Sequence, residues 1–466
     1  MAYKRNDNLN NYDIFPLVVT KDKPAEIHIV PTGVDPEFEV GKEYTVGYYA
    51  LEGGKPVDFP ATGDFKYEKA VCEANGGFTL THTFDKEQEY FIDLRDENDK
   101  RVRRFSIYCV DADLSGRYPF MGDLHMHTYR SDGNESPAVV CANYRRYGYD
   151  FTVISDHKRY YPSLEAIEAY KDVKTGLNIV CGEEVHMPRV NGKTNDIHIV
   201  NFGGEYSVNA LTDGDHQKER GTDPKYRSLK GECPDVMSYD EYQEKMQKLA
   251  DEAAKTLPED VDAIPYAVCC WIFDEIEKGN GLGIFAHPTW RRDAYHSPEA
   301  FTKYMLEHKP FGAFEVLGGE NYFEHNGFQT VLYYETMAKG VRLPIVGSTD
   351  SHSSYEQNRN AFICETIVFS PENKKNALIK SIKDYYSTAV DTISTEFRIV
   401  GESRLVRYSC FLLNNYFPIH DEYCFEEGRL MKQYITGTDE EKKEAADTLN
   451  FISGRMERLR KKYFDF

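Results

Sequence analysis

The stretch FMGDLHMHTYRSDG carries the first residues able to do chemistry. An apolar run leads into His125 and His127, and Asp132 follows in a polar turn beside Gly133. Residues i and i+2 on a strand point to the same face, so both imidazoles aim at one point. Neutral imidazole is the commonest ligand for zinc, iron and manganese. Further apolar runs end the same way: ISDHK in Asp156 and His157, IVCGEEVH in Glu183 and Glu184 with His186 close by, NDIHIVNFG around His198, GIFAHP in His287, and LPIVGSTDSH in Asp350 and His352.

Each run alone has a plain explanation. A histidine near a strand end is commonly hydrogen-bonded structure, and an acidic residue after a strand commonly caps the next helix. Recurrence changes the weighing, because every one of these runs delivers His, Asp or Glu. In α/β barrels the strand C-termini converge on one face, and sites form there. Between 119 and 395 short apolar runs alternate with helical stretches such as SLEAIEAYKDV and FQTVLYYETMAKG, a pattern of parallel β/α units.

At these residues the chain resembles the polymerase and histidinol phosphatase (PHP) family of metal-dependent phosphoesterases. The matching motifs are GDLHMHT-YRSDG, ISDHK, GEEV, DIHIVNFG, AHP and GSTDSH, in the family's order. The resemblance implies an α/β fold, a distorted (β/α)7 TIM-like barrel, with two or three divalent ions (Zn, Mn or Fe) at the strand C-termini. By motif, His125, His127 and Asp350 would hold one ion. Glu184, third in the G-x-E register, would bridge it to a second bound by His198 and His287. Asp132, His157 and His352 would hold a third.

Three dications bring about +6, and Asp132, Glu184 and Asp350 return about −3, which leaves roughly +3 to attract a phosphate dianion. Asp156 is a candidate for orienting a neighbouring ligand. Lys158, Arg159, Arg291 and Arg292 follow the motifs, and Arg159 and Arg292 are favoured as phosphate grips, since Arg suits bidentate recognition. Tyr160, Tyr161 and Trp290 stand ready to stack on a base or sugar. The chain has no Walker A loop, GxGxxG turn, GxSxG elbow or HExxH motif. The expected activity is hydrolysis of a small phosphorylated molecule, a nucleotide or sugar phosphate. The rivals are cleavage of another bond, such as a glycosidic one, and a non-catalytic metal-binding protein.

The surrounding chain divides into three. Residues 1–118 read as an all-β sandwich-like domain, from segments such as AEIHIVP, YTVGYYAL, GFTLTHTF, QEYFIDLRD and RRFSIYCVD. Residues 119–395 form the barrel, with a charged insertion at about 205–262 near its mouth, a candidate lid. Residues 396–466 read as a helical extension. The net charge of −21 gives no electrostatic footprint for nucleic acid polymers. The amino terminus lacks an apolar signal core, and no apolar stretch approaches a membrane span. None of the ten cysteines forms a CxxC pair, which fits a reducing compartment. A cytoplasmic protein with a small anionic substrate is expected, its oligomeric state left open.

Overall fold

The fold is taken from a computed structural model that describes residues 11–33, 37–52, 65–193, 197–212, 236–291, 293–318, 323–355, 364–392 and 397–466. The chain divides into two compact units. The first comprises Met1–Tyr118, Ser403–Tyr423 and Gly454–Phe466; the second comprises Pro119–Glu402 and Cys424–Ser453. Segments of the C-terminal helices fall in both units.

The first unit contains β1 (Tyr12–Phe15), β2 (Val18–Thr20), β3 (Pro24–Pro31), β4 (Glu43–Ala50), β5 (Lys66–Val71), β6 (Phe78–Thr83), β7 (Gln88–Arg95) and β8 (Arg101–Val110). They form two sheets, ordered β1-β3-β6 and β2-β8-β7-β4-β5. In β3 the residues Ala25, Ile27 and Ile29 are buried and Glu26 is exposed, the period of two that one covered face requires.

The second unit carries β9 (Tyr118–Asp123), β10 (Phe151–Val153), β11 (Asn178–Val180), β12 (Gly182–Val185), β13 (Ile199–Phe202), β14 (Leu282–Phe285), β15 (Ala313–Leu317), β16 (Ile345–Gly347), β17 (Cys364–Ser370), β18 (Ser387–Asp391) and β19 (Arg398–Val400). Its helices include α1 (Pro137–Arg146), α2 (Tyr161–Ala169), α3 (Tyr239–Ala253), α4 (Ala263–Lys278), α5 (Glu299–His308) and α6 (Phe323–Ala338). The strands pair in the orders β11-β10-β9-β17-β18-β19 and β12-β13-β14-β15-β16. Single parallel bridges, Met126 to Ser351 and His157 to Glu184, link the two sheets at the C-terminal ends of β9 and β10. Every residue of β14 and β15 is buried, as expected of strands covered on both faces.

The expected all-parallel β/α pattern is corrected in two places. β13 runs antiparallel to β12 and β14, and β17, β18 and β19 pair antiparallel. Between β12 and β13, residues His186–Lys193 carry no helix to serve as a crossover, so the chain returns beside the strand it has just left. The described part of 205–262 is packed. Helix α3 opens with a capping box, Ser238 with Glu241, and buries Tyr242, Met246 and Ala250. Tyr242 meets Trp271 of α4 edge-on, with ring centroids 5.7 Å apart, in the hydrophobic core. Residues 213–235 lie outside the described residues. No helix among the described residues is long and apolar enough to cross a membrane.

Candidate metal centre

The HxH and DSH motifs are set side by side by backbone pairing. Asp350 N–H donates to His125 O at 2.8 Å, and His127 N–H donates to Ser351 O at 2.8 Å. Buried Asp123, at the end of β9, accepts from His125 N at 3.1 Å and Thr349 N at 3.0 Å and so clamps both segments. Burial pushes its carboxyl up to about 7 against these hydrogen bonds. Asp350 sits at φ +46° and His287 at φ +20°. Such backbone strain costs about 1–3 kcal/mol per residue and marks sites that the surrounding structure holds in place.

Glu184 is the centre of the cluster. Its Oε2 lies 2.5 Å from His157 Nδ1, 3.5 Å from His127 Nε2, and 3.6 Å from both His125 Nε2 and His186 Nε2. Its Oε1 lies 2.6 Å from His198 Nδ1. One fully buried carboxylate thus meets five imidazoles, and they hold its pKa well below the usual range although burial opposes this. Asp350 lies 2.9 Å from His127 Nε2, 3.3 Å from His125 Nε2 and 3.6 Å from His287 Nε2. Asp132 faces His157 Nε2 at 3.5 Å and His352 Nε2 at 3.3 Å.

Two of the outer nitrogens are already committed. His125 Nδ1 lies 3.1 Å from Glu315 Oε2, and His352 Nδ1 lies 2.8 Å from the Asp350 carbonyl. A ring nitrogen that donates outward leaves the other with an inward lone pair, which here faces carboxylate oxygens. Two such groups repel unless a metal ion stands between them or the ring takes up a proton, and the neighbouring carboxylates do raise His125 and His352. The buried atoms His125 Nε2, His127 Nδ1, His287 Nδ1 and both Glu184 oxygens have no hydrogen-bond partner in the protein. Leaving such an atom unsatisfied costs about 1–3 kcal/mol, more for a charged one. This donor set fits divalent metal. Ligand atoms lie within 4.8 Å of one another in the groups His125–His127–Asp350, His125–Glu184–His287, His127–Asp132–His157–His352 and His198–His287–His296. Burial and the neighbouring imidazoles push His127 down to about 3, while Asp350, Glu315 and Glu184 outweigh burial and raise His125 well above its ordinary value.

All nine residues expected to ligate metal fall within this cluster, although His198 arrives by a different route. It precedes β13, whose antiparallel course brings its N-terminal end beside the C-terminal end of β12. Glu183 points the other way and accepts from Ser207 Oγ, Val208 N and Asn209 Nδ2 at 2.7, 2.6 and 2.9 Å. Asp156, the candidate for orienting a neighbouring ligand, acts on the turn that carries Asp132. It is buried and accepts from Thr128 N, Thr128 Oγ1 and Ser131 N at 2.9, 2.6 and 3.0 Å, fixing the turn between His127 and Asp132. Arg159 lies close enough to Asp156 for its charge to favour that carboxylate, which burial otherwise pushes up to about 6. Arg292 lies outside the described residues. Tyr160 and Tyr161 are buried, Tyr160 with its hydroxyl on Gly204 O, so neither is available to stack on a substrate. Trp290 does reach the cluster, 6.3 Å from the His198 ring at 27°.

Sequence reasoning missed Glu315 and His296. Glu315 sits in the apolar run of β15, where it resembles a core position. His296 follows AHPTW in a loop with no strand ahead of it.

Asp156→Ala leaves the Thr128 and Ser131 donors without their acceptor. Stability should fall by about 3 kcal/mol in a thermal melt, and the Asp132 group should lose metal affinity by roughly 10- to 100-fold. Asp156→Asn keeps an acceptor and should show smaller losses in both readouts.

No protein-family model matches this chain, and no curated protein does. Its neighbours among solved structures include PHP-like metal-dependent phosphoesterases. A two-domain protein from Bacteroides vulgatus containing a predicted PHP-like metal-dependent phosphoesterase shows 17% identity and a TM-score of 0.38, over 64% of this chain and 71% of that one. A proposed metal-dependent phosphoesterase from Bifidobacterium adolescentis shows 17% identity and a TM-score of 0.31, over 51% of this chain and 89% of that one. An amidohydrolase from Chromobacterium violaceum, with sulfate bound and no metal, shows 18% identity and a TM-score of 0.30 over the same shares.

Proposed function

We propose that this chain is a divalent-metal-dependent hydrolase acting on phosphate esters of a small molecule, a nucleotide or sugar phosphate. The observation that carries the reading is Glu184, one buried carboxylate within 3.6 Å of five imidazoles, with no hydrogen-bond partner for either oxygen. His125, His127 and Asp350 form one ligand group. Glu184 would serve both it and the pair His198 and His287, and Asp132, His157 and His352 form a third group into which His127 also points. When bound, divalent ions there supply Lewis acidity and lower the pKa of water toward neutrality.

The protein's part is positioning. Glu315 fixes the His125 ring, Asp123 aligns the HxH and DSH segments, and Asp156 holds the Asp132 turn. The carboxylates Asp132, Glu184 and Asp350 only partly neutralise two or three dications, which favours an anionic substrate. Arg159 is the described cation we assign to the substrate's anionic end. The seven strands β9, β10 and β12–β16, linked through the two single bridges, support reading this unit as a distorted (β/α)7 ring with an antiparallel member.

The substrate class is tested on full-length protein reconstituted with Mn, Zn or Fe, offered phosphomonoesters, phosphodiesters and aryl glycosides. Chelator-sensitive release of phosphate or cleavage of the diester is expected. Turnover of glycosides alone would overturn the phosphoesterase assignment.

A further inference from the structure

We propose that His296 is a metal ligand, completing with Glu184, His198 and His287 a closed, four-donor site for a zinc-type ion. The inference rests on the functional reading above and goes beyond it by assigning a residue and a role for one ion. His198, His287 and His296 each offer a nitrogen within 4.8 Å of the others. The His296 ring centroid lies 4.5 Å from that of His198 and 6.2 Å from that of His287. His287 is 3% exposed and turns its Nε2 to His198 Nδ1 at 3.3 Å, and His296 Nδ1 is buried without a hydrogen-bond partner. Glu184, with Oε1 at 2.6 Å from His198 Nδ1 and a ligand atom within 4.8 Å of one on His287, would offer the fourth donor.

The chain between His287 and His296 folds back on itself. Trp290 N–H donates to His287 O, His296 N–H to Trp290 O and Ser297 N–H to Pro288 O, at 2.9, 2.8 and 3.2 Å. Trp290 packs against the His296 ring at 4.1 Å. The loop thus presents its imidazole to the cluster that His287 enters.

Three imidazoles and one carboxylate satisfy tetrahedral zinc completely, and a zinc site that keeps no open position serves to hold structure. An ion here would therefore be the tightest bound and would anchor Glu184, leaving open coordination to the groups around Asp350 and Asp132.

The test titrates metal-stripped full-length protein with Zn2+ alone against a chromophoric chelator, and separately with Co2+ followed in the visible. Wild type is compared with His296→Ala, His296→Gln and His296→Cys. In the Ala and Gln variants one Zn2+ step should weaken by about tenfold or more, and the intense absorption of four-coordinate Co2+ should be lost. The Cys variant, which keeps a donor, should retain both. Circular dichroism of the stripped variants checks that each still folds. Zn2+ isotherms and Co2+ spectra in the Ala and Gln variants that superimpose on wild type would overturn the proposal. So would a rise in KM with metal binding unchanged, which would make His296 a substrate contact. Wild type that takes up neither ion would overturn the functional reading itself, whereas failure confined to the variants falls on His296 alone.

Discussion

Glu184→Gln should keep its fold and lose hydrolysis by about a thousandfold, together with most of its bound metal. The substitution is nearly isosteric, so packing around β12 is preserved. It removes the one negative charge shared by His125, His127, His157, His186 and His198, and it puts an amide NH2 where a ligand oxygen stood. Glu183→Gln is the matched control one residue away on the opposite face of the strand. Its side chain holds Ser207, Val208 and Asn209 and faces away from the imidazoles. That variant should lose about 1–3 kcal/mol of stability and keep its metal. Metal analysis, kinetics and thermal melts on both proteins check the split. Equal activity loss in the two variants would remove Glu184 from its central role.

Stripping the metal should abolish activity and lower the melting temperature. Binding to the folded state alone stabilises by RT ln(1 + [L]/Kd), about 4 kcal/mol at a thousandfold excess over Kd. At roughly 2–4 °C per kcal/mol for units above 150 residues, each tight site lost should cost about 10 °C. The cause is local. Without ions the carboxylates of Asp350, Glu184 and Asp132 are left to the imidazoles alone, and His125 and His352 must take up protons to face them. Calorimetry of stripped and reloaded protein measures the shift. An unchanged melting temperature would mean that no ion couples to folding.

Most residues of the cluster were legible because they stand at or just beyond the end of a strong apolar run, and such runs announce strands that must be buried; His198 stands before its run and Asp132 in a polar turn. Glu184 could be separated from Glu183 only through the family register, since alternation along a strand shows that two neighbours diverge and not which one faces the site. Strand direction was not legible. The apolar pattern of β13 is the same in either orientation, and only the missing crossover makes it antiparallel. Glu315 was hidden by its setting in β15, where the strand is covered on both faces and a single carboxylate is hard to tell from a core exception. Within the charged stretch at 205–262, Tyr242, Met246 and Ala250, spaced by four, describe the face that α3 packs. Asp156 was noticed for the right reason, a carboxylate at a strand end. Its partners lie in a turn some 25 residues earlier, a contact that no local pattern encodes.

The central claim is that these dispersed imidazoles and carboxylates hold divalent ions around Glu184. Anomalous diffraction from crystals of the protein grown with Zn2+ or Mn2+ tests it most directly. Two or three peaks are predicted, each bounded by His and carboxylate atoms of the cluster, with Glu184 touching at least one. An ordered cluster with no anomalous density in excess metal, its rings hydrogen-bonded to one another or to water, would contradict it.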